Sequence, residues 1–185
     1  MTLIASVSGI RGTIGGEISN NLTPINVVAF AAAYGSWIKI KHHSVTVVVG
    51  RDARISGPMV QSLVQMTLVG LGIDVIDIGI STTPTVEMEV VRKQAQGGIV
   101  ITASHNPMHW NALKLLNNKG EFINVDEGVE LMQYVKEQSF DFVGVNGLGK
   151  ISIVSDAISA HIDKIISLPQ VNVSAIKSAG FSVVV

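Results

Sequence analysis

Cysteine is absent from the 185 residues, which excludes disulfides, thiolate metal sites and thiol nucleophiles and suits a reducing compartment. Chemistry must come from oxygen and nitrogen groups. Charge is scarce too: Asp, Glu, Lys and Arg make up 15% of the chain, the formal net charge is −1, and the basic residues are scattered. Such a distribution gives no basic field of the kind that nucleic-acid binding needs, so no nucleic-acid partner is expected. The amino terminus lacks the basic start and sustained apolar run of a signal peptide. No apolar stretch reaches membrane-spanning length without polar interruption. The expectation is a soluble cytoplasmic protein with no membrane partner. Asp, Glu and His form no sequence cluster suggesting a complete metal site, and His42, His43, His109 and His161 stand without partners at ligand spacing and read as ordinary residues.

Hydrophobic residues are abundant, at 47%, enough to build a packed core and to exclude disorder over most of the length. Runs rich in Val and Ile alternate with amphipathic stretches, the pattern of parallel strands joined by helical crossovers. The expected class is therefore α/β, a three-layer α/β/α domain on a mixed, mostly parallel sheet. Thr23-Pro24 reads as an N-cap and first helical position, with Val27, Phe30, Ala31, Tyr34 and Ile38 at helical spacing to about residue 41. Val45–Val49 is a buried strand, and Ser56-Gly57-Pro58 opens a helix that Gly72 stops. Asp74–Ile78 is a strand, Thr83-Pro84 caps a shorter helix, and Gly98–Ile101 is another buried strand. Ala112–Leu116 and Phe122-Ile123 flank a turn at Asn117–Gly120 and read as a hairpin; residues 126–138 read as a helix. Glycines 144, 147 and 149 suggest a boundary, placing one domain at residues 1–153 and the start of a second, similar one at 154–185. There Ile158, Ile162, Ile165 and Ile166 mark a helix, and Ser182–Val185 reads as a strand cut short.

Four polar segments stand out: 8–16, 50–58, 81–85 and 102–111. Three follow predicted strands, and in a parallel sheet the loops at the strand carboxyl ends converge where ligands bind. Asn106-Pro107 alone is an ordinary turn signal, but Ser104 is crowded by His105, Asn106 and, ten residues on, Lys114. A serine hydroxyl needs such a base or orienting group to act as a nucleophile, and Lys114 can be a base only if burial or neighbouring cations depress its pKa. Arg11 lies among Gly9, Gly12, Gly15 and Gly16, either a plain flexible connection or a phosphate-facing guanidinium beside open amides. Arg51, Asp52 and Arg54 form either an internal network that shapes their loop or, for Arg51 and Asp52, a substrate contact. Thr82, Thr83 and Thr85 read as helix-capping residues.

Thr102-Ala-Ser-His-Asn-Pro107, with Asn111 and Lys114 following, resembles the active-site serine loop of the α-D-phosphohexomutase superfamily, the relatives of phosphoglucomutase and phosphomannomutase. Gly9-Ile-Arg-Gly12, Gly50-Arg-Asp-Ala-Arg-Ile-Ser-Gly57 and Thr83-Pro-Thr85 resemble further motifs of that superfamily, in its order. The resemblance implies a phosphohexomutase, with a phosphoserine at Ser104 that exchanges its phosphoryl group with a hexose phosphate through a hexose 1,6-bisphosphate. It implies Lys114 as general base, His105 as an active-site neighbour and Arg11 as an active-site arginine, with Thr102, Asn106, Asn111, Arg51 and Asp52 supporting the loop or the substrate. It also implies Mg²⁺, held by the Ser104 phosphate and by an aspartate-rich loop outside these residues, and domains II to IV missing from this chain. Gly9–Gly12 and Ala53–Gly57 lean toward the phosphoglucosamine mutase type, whereas Arg51 and Pro58 lean toward phosphomannomutase. Val7-Ser8 stands where those relatives carry Thr-Asp or Tyr-Asp. A reading from another class is a non-catalytic module that binds sugar phosphates.

Overall fold

The computed structural model describes residues 2–6 and 9–184. Seven strands form one mixed sheet: β1 (Ile4–Ser6), β2 (Gly9–Thr13), β3 (Thr46–Arg51), β4 (Asp74–Ile80), β5 (Gly97–Ile101), β6 (Trp110–Leu116) and β7 (Ile151–Ile153), in the order β1-β2-β6-β5-β3-β4-β7. β3 runs parallel to β4 and β5, and β7 parallel to β4, whereas β6 is antiparallel to β5 and β2, and β1 to β2. Five strands thus point one way. The carboxyl ends of β3, β4 and β5 and the amino end of β6 meet at one edge.

Helices α1 (Pro24–Lys41), α2 (Gly57–Gly70) and α4 (Val125–Glu137) cover one face, and α3 (Thr83–Arg92) and α5 (Ala157–Ile166) the other. The layers follow from strand alternation. Val47, Val49, Ile99, Ile101, Leu113 and Leu115 enter the core beneath α1 and α2, while Val48, Val100 and Leu116 meet Val86 and Val90 of α3. α1 starts as its sequence dictates: Thr23 and Asn26 form a reciprocal capping box with Pro24 in the first turn. It is buried from Phe30 through Ile38, wedged between the sheet and its two neighbouring helices. Within it the Tyr34 hydroxyl donates to the carbonyls of Gly98 (3.0 Å) and Leu116 (2.7 Å), and burial pushes the phenol's pKa well above its ordinary value.

Several expectations are corrected. Gly9–Gly16 is no flexible loop over its first half, since Gly9–Thr13 is a strand held between β1 and β6. A Cβ at Gly9, whose φ is +115°, would strike the Leu113 carbonyl, so this glycine lets two backbones approach. The cap of α3 is Thr82, not Thr83: its hydroxyl accepts the Thr85 amide (3.3 Å), and Thr83 is already helical. The turn after β6 forms as expected, with Gly120 at φ +74°, but its second arm is reduced to one bridge, Leu116–Phe122. Residues 182–184 form no strand, because no described strand lies alongside to take their backbone hydrogen bonds; Val185 lies outside the described residues.

α5, which the sequence places in the second unit, packs on α3. Ala157 is buried, His161 Nδ1 meets Thr85 Oγ1 at 2.9 Å, and Arg92 bridges Glu89 (2.7 Å) and Asp156 (2.8 Å). Those two carboxylates, Glu89 first, raise the Arg92 pKa further above its ordinary value. Its isoleucines 158, 162, 165 and 166 remain exposed. A last short helix, α6, spans Val173–Ala179.

Candidate active site

The loop between β5 and β6 carries Ser104 at the edge where the three parallel strands end. Ser104 is exposed and adopts φ +53°, a left-handed conformation that costs an L-residue with a side chain about 1 kcal/mol. Two contacts hold it there. Its N–H donates to Thr102 Oγ1 at 3.0 Å, and its carbonyl accepts from Arg54 Nη2 at 2.7 Å. The Thr102 hydroxyl donates in turn to Asp52 Oδ2 (2.7 Å), to which Arg54 Nε also donates (3.0 Å). Asp52 Oδ1 accepts the Arg54 amide (3.0 Å), so the carboxylate organises both loops.

Asn106 closes the loop on itself, its N–H (3.1 Å) and Nδ2 (2.9 Å) both donating to the Ala103 carbonyl. Asn111 lies on β6 rather than in the loop and is fully buried; its Nδ2 donates to Ser56 Oγ (2.9 Å) at the start of α2. Arg51 faces inward: Nε donates to Gln61 Oε1 (2.8 Å) and Nη1 to the Asp52 carbonyl (3.0 Å), while Gln61 continues to Asp77 (2.7 Å). Thr102 and Arg51 are thus tied to Asp52, while Asn106 braces its own loop and Asn111 the start of α2.

His105 is exposed and makes no side-chain hydrogen bond among the described residues. Arg11 pairs with Ala112 across the β2–β6 ladder, and Lys114, two residues beyond, pairs with Val100. Both project from the α3 side of the sheet, the face of Val100 and Leu116. The Arg11 side chain has no hydrogen-bond partner among the described residues, and its Nε is buried. Lys114 Nζ sits 5.5 Å from the Phe122 ring centroid, and no hydrogen bond joins it to Ser104 among the described residues. Val7 and Ser8 lie outside the described residues.

Beside Lys114, burial raises the half-buried Glu87 carboxyl above its ordinary pKa, and the lysine's charge only partly opposes this. A raised native pKa means that the folded state holds this proton more tightly than the unfolded chain. The stability it contributes is thus complete below the ordinary carboxylate range and lost as pH rises through the raised value. Glu87→Gln should melt higher than the parent at pH 7 and converge with it in acid, as thermal denaturation across pH will show.

The sequence reading missed two contacts. Arg54 spans from its own loop to the serine loop, and His161 reaches Thr85, 76 positions away in sequence. An open depression of about 360 Å³, lined by Asp52, Ala53, Arg54, Asn106 and Met108, lies beside Ser104. A groove of about 500 Å³ between α3 and α5 involves none of the serine-loop residues. No helix among the described residues is long and apolar enough to cross a membrane.

Fold and site together define a three-layer α/β/α domain that presents a serine on a braced loop at the carboxyl edge of its parallel strands. The chain belongs to the phosphoglucomutase/phosphomannomutase family, whose alpha/beta/alpha domain I matches residues 3–142. It is 34% identical over 165 residues to "Probable phosphoglucosamine mutase" of Methanosphaera stadtmanae, covering 89% of this chain and 35% of that protein. It is also 34% identical over 170 residues to a phosphoglucomutase/phosphomannomutase of Thermococcus kodakarensis, covering 91% and 36% respectively. The chain thus spans about a third of the length of these curated relatives. A solved phosphoglucomutase/phosphomannomutase family protein from Burkholderia thailandensis superposes with TM-score 0.71 at 25% identity, covering 88% of this chain and 36% of that one. A solved structure from Thermus thermophilus covers the whole chain and 39% of its own, with TM-score 0.78 at 24% identity, a likeness of fold.

Proposed function

We propose that this chain supplies the phosphoryl carrier of a phosphohexomutase that interconverts hexose 1-phosphates and hexose 6-phosphates. The supporting observation is Ser104 itself, exposed yet fixed at both ends of its residue by Thr102 and Arg54. A nucleophile or leaving group held in one geometry needs no ordering at the moment of transfer. In the proposed step a hydroxyl of the sugar phosphate attacks the phosphorus on Ser104 Oγ. The new sugar O–P bond forms as the Oγ–P bond breaks, leaving a sugar bisphosphate. The hydroxyl proton goes to Lys114, which must first be neutral, and the serine oxygen is reprotonated or takes back a phosphoryl group from the reoriented sugar. Arg11, whose guanidinium has no partner among the described residues, is suited to grip a substrate phosphate, and exposed His105 to flank it.

The described residues contain no group of three His, Asp or Glu side chains placed to hold a metal. Asp52 is committed to Arg54 and Thr102. These residues do not fit a complete Mg²⁺ site. At the same 34% identity one relative is a probable phosphoglucosamine mutase and another a phosphoglucomutase/phosphomannomutase, so glucose, mannose and glucosamine phosphates are all candidate substrates. Peptide mapping of the full-length protein purified from cells should find phosphate on the peptide carrying Ser104, and a panel of glucose, mannose and glucosamine phosphates should identify the substrate. Phosphate confined to other peptides would refute the carrier role.

A further inference from the structure

Arg54 has a side chain only 10% exposed, and its guanidinium uses every donor it owns. Nε bonds Asp52 Oδ2 at 3.0 Å. Nη1 bonds the carbonyls of Pro107 (2.8 Å) and Trp110 (3.1 Å), and Nη2 those of Ser104 (2.7 Å) and Asn106 (2.8 Å). A guanidinium has five N–H groups in a rigid planar fork, so all five are satisfied. Four of the acceptors span residues 104–110, nearly the whole segment between β5 and β6.

This arrangement leaves the arginine no donor for a phosphate, and its charge is offset by Asp52 and by four converging carbonyl dipoles. Its effect falls on the backbone. Ser104 sits at φ +53°, a conformation its neighbours must impose. They do so from two sides that share one anchor, since Thr102, which takes the Ser104 N–H, and Arg54, which takes the Ser104 carbonyl, both bond Asp52 Oδ2. The covalent link on the other side of the Ser104 carbonyl is His105, which no side-chain bond restrains among the described residues.

We propose that Arg54 is a positioning residue: through its bonds to the loop carbonyls it holds Ser104 in the left-handed geometry from which the phosphoryl group is transferred. The inference rests on Ser104 being the carrier. Lysine cannot replace it, having three donors on a tetrahedral head where five in a plane are needed. The loss expected is in transfer rate rather than in sugar affinity, because a reacting group displaced by about 1 Å can slow a reaction about 100-fold.

The test uses the full-length protein with Arg54→Lys and Arg54→Ala, assayed with glucose 1-phosphate and by amide hydrogen exchange across residues 103–110. Both variants should lower kcat by about 100-fold with KM nearly unchanged, and should speed exchange in that segment while β3 and β5 stay protected. Millimolar guanidinium ion should restore part of the rate to Arg54→Ala and none to Arg54→Lys, whose ammonium fills the space. If Arg54→Ala does not fold, Arg54→Lys alone carries the rate and exchange measurements. Unchanged exchange, or a raised KM at constant kcat, would overturn the proposal, the latter by placing Arg54 on the substrate. A parent protein without phosphate on Ser104 would overturn the carrier reading and, with it, the transfer role of Arg54. In that case faster exchange in the variants would identify Arg54 as a structural brace only.

Discussion

Replacing Ser104 by glycine in the full-length protein is expected to erase phosphate from the serine-loop peptide and to lower mutase turnover on the order of 10⁴-fold or more. Glycine is the informative replacement because both supports of residue 104 act on its backbone, the N–H through Thr102 and the carbonyl through Arg54. Glycine retains both atoms and accepts φ +53° without penalty, so the loop geometry survives while the hydroxyl is lost. Ser104→Ala should lose as much activity while remaining about 1 kcal/mol less stable than Ser104→Gly, since its Cβ, like that of the serine, stays in the left-handed region. Turnover within tenfold of the parent in Ser104→Gly, measured on phosphate-free preparations, would end the case for a serine carrier.

Gly97→Ala should be among the most damaging single-methyl additions to the fold, at about 3 kcal/mol. A Cβ there would collide with the Tyr34 hydroxyl, come within 2.7 Å of Ile38 Cδ1 and lie 2.9 Å from the Leu116 carbonyl. None of these can yield cheaply. The hydroxyl is held by two carbonyls, Ile38 is fully buried within α1, and the Leu116 carbonyl belongs to the β6 backbone. Adding Tyr34→Phe removes the nearest obstacle, so the double variant should recover part of the loss relative to the sum of the single changes. Urea denaturation of the four proteins measures this coupling, and strict additivity would show that the clash is not with the hydroxyl.

Elements whose signals are local were legible in the sequence. α1 begins at Pro24 because Thr23 and Asn26 cap it, and β3 and β5 are apolar runs that only a doubly covered strand accommodates. What escaped was written in long-range contacts. Gly9–Thr13 has the composition of a loop, and it is a strand because β1 and β6 lie on either side, with Gly9 pressed against Leu113. The Thr82-Thr83 pair gives two adjacent candidate caps, and only the backbone geometry selects the first. For Arg51, Asp52 and Arg54 the sequence left open an internal ion-pair network or a substrate contact, and the structure contains the Asp52–Arg54 ion pair inside that loop. The grip of Arg54 on the serine loop gave no local signal, since those four acceptors are carbonyls some fifty residues away, and carbonyls have no sequence identity. The position of Lys114 relative to Ser104 likewise depends on the β5–β6 register, which a motif does not specify.

The left-handed backbone at Ser104 has a consequence for which amino acid can serve there. Threonine offers the same hydroxyl and forms an equally good phosphate ester, so chemistry alone is indifferent between the two. A β-branched side chain at φ +53° places a γ-substituent against its own backbone, making this one of the least tolerated conformations for threonine. Ser104→Thr therefore forces a choice between an intact loop and a hydroxyl aimed as before. The shape of the main chain thus restricts the proposed phosphoacceptor to serine.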